Sequence, residues 1–226
     1  MENYKTLIAH LPVQEQSFTT KRTTWLKAEN HISWLKNLND RLFENNPTLT
    51  ISRHDIFETQ DIREKIILTI YWGYTAGMRG NHFVNILHEI EVIENRLITL
   101  SQTSNLTTAD YEELRTTFKK INGLGLSTYS KLLYFFKISF NNAPCLILDQ
   151  RLIDTFVGQA HIEFHLLRNI RYENAEKLYL QFLDLTQELA IRLSTTGENI
   201  ELFLFTFGKN LKTTPLPTPT PKFLKL

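Results

Sequence analysis

Residues 121–136 read INGLGLSTYSKLLYFF. Two of the chain's 8 glycines flank a single leucine, and a helical pattern begins directly after them. Tyr129, Leu132, Leu133 and Phe136 recur at steps of three and four and form an apolar stripe. Ser127, Lys131 and Tyr134 fall on another face. The preceding segment, TTADYEELRTTFKKI, opens with a threonine cap and early acids and ends in lysines, the order a helix dipole favours. Two helices are therefore expected, the first ending near Ile121, with residues 122–125 joining them. Glycine there permits positive φ and lets a ligand approach the backbone closely. The first amides of the second helix are unpaired and stand at its positive end, so the turn suits an anion, most naturally a phosphate. The same glycines also suit a plain capping turn, one closing the first helix and one opening the next.

Charge supports the anion. The chain carries a net charge of only +1, but between Arg115 and Leu148 it holds Arg115, Lys119, Lys120, Lys131 and Lys137 and no Asp or Glu. A near-neutral protein with one acid-free basic segment points to a local anionic contact, although a solvated helix face has the same composition.

The length of 226 residues suits one large domain or two lobes sharing a core, and 42% apolar content is enough to fill it. The single cysteine, Cys145, excludes disulfides and cysteine-ligated clusters and fits a reducing cytoplasm. The N-terminus lacks the basic and apolar segments of a signal peptide, and no run of apolar residues is long enough for a membrane span.

Most of the chain reads as helix. In TTWLKAENHISWLKNLNDRLF, Trp25, Ala28, Ile32, Leu35, Leu38 and Leu42 make one amphipathic stripe. DIREKIILTIYW is apolar all round and is expected in the core. HFVNILHEIEVIENRLITL, NAEKLYLQFLDLTQELAIRLS and ENIELFLFTFGKNL read as further helices. No clear alternating strand pattern stands out, and APCLIL is an apolar run too short to define a sheet. The expectation is an all-α fold over residues 1–212. A Pro/Thr-rich tail, residues 213–226, holds four of the seven prolines and is expected to be extended or disordered.

INGLGLSTYSKLLYFF followed by LILDQRLIDTF resembles the helix-hairpin-helix DNA glycosylases, whose hairpin carries a G-x-G core before a helix, a loop and an aspartate. YWGYTAGMRGNHFVNILHEI resembles the segment in which two helices flank a short polar loop that penetrates DNA. Within that superfamily the chain is most similar to a bacterial subgroup with an 8-oxoguanine-glycosylase fold. Members of the wider group are associated with defence against phages that carry modified bases. The likeness covers residues 60–160. It implies a two-lobed helical fold with the hairpin at residues 115–138, and a monomer that flips a modified base out of double-stranded DNA and hydrolyses its N-glycosidic bond, in repair or in phage defence.

The resemblance also assigns residues. Asp149, 24 positions after Gly125, falls on the catalytic aspartate. A carboxylate near the sugar stabilises the cation that builds as the base leaves and orients the attacking water. Asp149 is also well placed to cap the helix QRLIDTF. Glycosylases that also cut the strand carry a lysine two residues past the second glycine; here that residue is Ser127, which implies a monofunctional enzyme. Lys131, one helical turn further along the same face, is either a displaced nucleophile or a phosphate or solvent contact. Gly123, Leu124, Gly125, Ser127 and Thr128 of the hairpin, with Lys131 and Arg151, are the expected DNA contacts. Arg79 and Asn81 of the GMRGNH loop are the expected intruders into the duplex. Trp72, Tyr74 and His82 are the expected base pocket, although aromatic residues in an apolar helix also serve as core. The single cysteine excludes the family's iron–sulfur variants. No metal site is expected: His161 and His165 of HIEFH lack a third ligand. A monovalent cation held by hairpin carbonyls is implied by the resemblance alone. A DNA-binding module with the hairpin and no reaction remains the alternative. It would need no pocket beside Asp149.

Overall fold

The computed structural model describes residues 1–158 and 161–210; the expected Pro/Thr-rich tail lies outside the described residues. In chain order the elements are α1 (Lys5–Ala9), β1 (Ser17–Lys21), α2 (Arg22–Glu29), α3 (Ser33–Phe43), β2 (Thr48–Ser52), α4 (Arg53–Glu58), α5 (Ile62–Gly73), α6 (His82–His88), α7 (Ile90–Gln102), α8 (Thr108–Phe118), α9 (Leu126–Phe135), β3 (Ser139–Phe140), β4 (Ala143–Pro144), α10 (Gln150–Val157), α11 (Ala175–Leu193) and α12 (Gly197–Phe207). The fold is all-α. Two small antiparallel ribbons, β1–β2 and β3–β4, complete it.

The β1–β2 ribbon is a feature that the sequence reading missed. Ser17–Lys21 pairs with Thr48–Ser52; the second strand, TLTIS, does alternate polar and apolar residues, but it is only five residues long and its partner SFTTK carries a single apolar side chain, Phe18. The ribbon is closed by a capping box in which Ser52 and Asp55 exchange hydrogen bonds and start α4. The turn between β3 and β4 rests on Asn141 and Asn142, both at positive φ, as a two-residue hairpin demands.

Two long helices expected from periodicity are each broken in two. The stripe from Trp25 to Leu42 runs over α2 and α3, which are separated at residues 30–32. HFVNILHEIEVIENRLITL divides into α6 and α7 at Glu89. In both cases the apolar phase runs on through the break, because both halves bury their faces in one cluster. Periodicity therefore gives no sign of the interruption. At the other end, Thr107 and Asp110 form the expected cap of α8.

α5 and α9 pack against each other at the centre. Seven residues of α5, from Ile66 to Trp72, are buried, as its all-round apolar pattern implies. In α9 nine of the ten residues are buried, among them Lys131 and Tyr134, which lie on a different face from the apolar stripe.

Candidate active site

The turn between α8 and α9 is longer than expected. α8 ends at Phe118, and Lys119–Gly125 make the connection. Gly123 stands at φ +96°, and a Cβ there would lie 2.5 Å from His82 Cβ and 2.8 Å from its Cα. Glycine is thus required twice over, by backbone angle and by contact. Gly125 is different: it caps α9 in an extended conformation, φ −83°, ψ 174°. Its missing side chain instead leaves room for the Tyr172 hydroxyl, 2.6 Å from where a Cβ would sit. Thr128 and Tyr129 return their amides to Gly125 O, while those of Leu126 and Ser127 find no acceptor among the described residues. Two unpaired amides at the positive end of α9 have the arrangement that anion binding would need.

Several residues assigned to the DNA face turn inward. Leu124 is a core residue, 3% exposed. Thr128 is buried and bonds the Tyr74 hydroxyl at 2.7 Å, which ties α9 to the end of α5. His82 packs on Gly123 and does not line the pocket described below. The basic segment is not one surface either: Arg115 pairs with Glu112, Lys131 is buried, and Lys119, Lys120 and Lys137 remain exposed. The carbonyls of Phe118, Ile121 and Gly125 each accept a backbone amide.

The loop after α5 keeps its expected character. Gly77 and Gly80 both stand at positive φ, Arg79 and Asn81 are exposed, and Asn81 Oδ1 accepts from Lys27 Nζ at 2.8 Å. Thr20 Oγ1 donates to Thr75 O at 2.9 Å, so the β1–β2 ribbon anchors the loop from behind.

A cavity of about 390 Å³ brings the remaining candidates together. Its walls come from the end of α5 (Trp72, Gly73, Tyr74), from α9 (Ser127, Lys131), from the start of α10 (Asp149, Arg151), from α12 (Glu201, Phe205) and from Phe18 of β1. Its volume lies within the range of about 300–1,000 Å³ usual for small-ligand sites. A larger groove of about 800 Å³, near Tyr134, Lys137 and α11, contains neither Asp149 nor Lys131.

Asp149 is the N-cap of α10. Its Oδ1 accepts from the amides of Arg151 at 3.0 Å and Leu152 at 3.2 Å. It is partly exposed and forms no ion pair among the described residues. Capping with one oxygen fixes the side chain and leaves the other free. The helix N-terminus stabilises the negative charge. Capping and catalysis are therefore compatible at this position.

Lys131 is 4% exposed, not a phosphate or solvent contact. Its Nζ donates to Ser127 O at 2.6 Å, lies 3.3 Å from Ser127 Oγ and stands 5.4 Å from the centre of the Tyr74 ring. Its aliphatic stem lies against Gly73, where a Cβ would meet Lys131 Cδ at 2.7 Å. Arg151 is exposed at the rim, with its guanidinium 4.6 Å from the Phe205 ring.

Sequence reasoning missed Glu201, which lines the cavity, and Arg53, which lies behind it. Glu201, 1% exposed, receives Arg53 Nη2 on Oε2 at 2.7 Å. Arg53 is itself fully buried, between the rings of Trp72 and Tyr134 at 5.3 and 5.0 Å, and donates from Nε to Gln16 at 2.7 Å. Burial pushes the Glu201 carboxyl above its usual range, against the pull of Arg53. A lone acid inside the apolar run IELFLF was the available signal for Glu201. Arg53 offered none.

A family model described as "Putative 8-oxoguanine DNA glycosylase OGG-like protein" matches residues 11–205. The chain belongs to this family. The match reaches well beyond residues 60–160, taking in the β1–β2 ribbon, α4 and most of α12, the elements that supply Phe18, Arg53 and Glu201. No curated protein and no solved structure gave a match. Among the described residues, no helix is long and apolar enough to cross a membrane.

Proposed function

We propose that this member of the OGG-like family is a DNA glycosylase that draws a modified base into the cavity beside Asp149 and cleaves its N-glycosidic bond. The observation that carries the reading is Asp149 itself: a carboxylate held by its cap, outside any ion pair among the described residues, opening on an aromatic-walled pocket. A DNA-binding module would need no such cavity.

The steps follow from the geometry. Phosphate contacts at the Leu126 and Ser127 amides hold the duplex, and Arg79 and Asn81 enter it as the base leaves the stack. Phe18, Trp72 and Tyr74 line the cavity that takes the extruded base. As the C1′–N bond breaks, its electron pair departs with the base and positive charge builds on the sugar. The Asp149 carboxylate stabilises that charge. Water then bonds to C1′ and gives its proton to Asp149. Incubation with duplexes bearing a panel of oxidised, alkylated and enlarged bases, followed by detection of abasic sites, tests the reading. No abasic site from any duplex that the protein binds would leave the binding module as the better account.

A second reading is favoured by one observation: the Lys131 ammonium shares the pocket with Asp149. A neutral Lys131 amine could attack C1′, expel the base and proceed to strand cleavage through a Schiff base. To do so it must leave Ser127 O. Borohydride reduction during turnover separates the two routes. Hydrolysis through Asp149 alone yields no covalent complex, whereas an adduct that disappears in Lys131→Ala establishes the amine route.

A further inference from the structure

Lys131 is the anomaly of this pocket. It is 4% exposed, yet among the described residues no carboxylate lies within ion-pair distance of it, and Glu201 on the same cavity is paired with Arg53 instead. A buried ammonium without a carboxylate is costly and rarely kept. Its contacts are those of a charged group. The 2.6 Å bond to Ser127 O is as short as charge-assisted bonds are, and the centre of the Tyr74 ring lies 5.4 Å away, within cation–π range. An ammonium carries three donors. Ser127 O and Oγ accept two, and the third has no acceptor among the described residues. The groups around Nζ are themselves walls of the cavity: Ser127, Tyr74 and Gly73, whose Cβ would lie 3.9 Å from Nζ.

Asp149 brings the opposite charge to the same cavity, and the two do not meet as an ion pair. Each is held by the backbone, Asp149 by the α10 amides and Lys131 by Ser127 O, so neither crosses the space to neutralise the other. Asp149 is partly exposed and Lys131 is buried. The cavity therefore carries a carboxylate nearer solvent and an ammonium deeper in. A bond that breaks heterolytically between them puts its positive fragment at the carboxylate and its negative fragment at the ammonium.

Resting on the hydrolytic reading, we infer that Lys131 is a catalytic acid that receives the departing base, and that the cavity favours heterocycles bearing negative charge. As the C1′–N bond breaks, its electron pair leaves with the base. The ammonium hydrogen-bonds that anion and transfers a proton to it. Water adds to C1′ and gives a proton to Asp149, and solvent returns that proton to the Lys131 amine. Lys131 is thus protonated while the bond breaks, does not attack C1′ and forms no Schiff base.

The test uses two probes of similar size at neutral pH: 5-nitrouracil, an anion, and thymine, which is neutral. Binding to the whole protein is followed by ligand-observed NMR. The wild type is expected to bind the anion about tenfold tighter, as one hydrogen bond between charged groups implies. Lys131→Met, which removes the charge, should lose the preference, and Lys131→Arg should keep it. Equal binding of both probes by the wild type, or a preference that persists in Lys131→Met, would overturn the inference. If Lys131→Met does not fold, the wild-type pair decides alone. Single-turnover excision from the duplexes with modified bases then separates acid from nucleophile. Arginine can hold an anion but cannot form a Schiff base, so Lys131→Arg should retain activity that Lys131→Met loses; equal loss in both would remove the acid role. Selective binding of the anion without release of any base keeps Lys131 as the anion contact and removes the enzymatic reading. Release of a base with no preference for the anion keeps that reading and removes Lys131 from it.

Discussion

Asp149 shows how one side chain can serve fold and chemistry together. The α10 amides take Oδ1, so the carboxylate needs no ion pair to stay in place, and its charge remains available to the sugar. Asparagine caps a helix about as well as aspartate but lacks the charge. Asp149→Asn should therefore keep its melting temperature and its DNA affinity, or bind more tightly once the repulsion of nearby phosphates is gone. Single-turnover excision should fall by roughly 10²–10³-fold, the usual worth of a preorganised electrostatic group. Normal excision by this variant would remove Asp149 from the mechanism. The cap position of Asp149 was legible in the sequence because capping is a local property, whereas its assignment to catalysis came from the family resemblance. Lys131 was misplaced because α9 is buried on every side, so a polar residue off the apolar stripe faces an internal cavity and not water. That distinction is tertiary, and helical periodicity carries no trace of it.

Among the elements, the hairpin makes the sharpest claim about its two glycines, which a G-x-G motif treats as equivalent. Gly123 is fixed by φ +96° and by His82; Gly125 has an ordinary φ and meets only the exposed tip of Tyr172. Gly123→Ala should cost more than about 1 kcal/mol of stability, since alanine strains at positive φ. Gly125→Ala should leave stability nearly unchanged while weakening DNA binding by the same factor for every sequence, because a phosphate contact carries no base information. Thermal melts and binding to two unrelated duplexes check both claims. Equal melting temperatures for the two variants would contradict the first, and unchanged affinity in Gly125→Ala would contradict the phosphate site. The helix content and the α8 cap were readable from local pattern. The breaks within the two long stripes were not, since the halves share one core, and the β1–β2 ribbon was missed because the alternation of TLTIS spans only five residues and SFTTK offers one apolar side chain.

At the scale of the whole molecule, the site depends on parts of the chain far apart in sequence. Arg53 at the start of α4 and Glu201 in α12 are 148 residues apart and meet at 2.7 Å beneath the pocket. Gln16, ahead of β1, holds the same guanidinium, and Trp72 at the end of α5 lies against it. The pocket floor thus exists only when the ribbon, α5 and α12 have come together, which is why neither member of the pair reads as functional in its own segment. A buried pair of this kind costs much desolvation and recovers it only while both partners are present. Removing one leaves a charge stranded in the core. Arg53→Leu alone should lower the unfolding free energy by about 3–5 kcal/mol, whereas Arg53→Leu combined with Glu201→Leu should recover a large part of that loss. Chemical denaturation of the wild type, both single variants and the double variant closes the cycle. Strictly additive losses would show that the two residues act independently and that the floor is not held by their pairing.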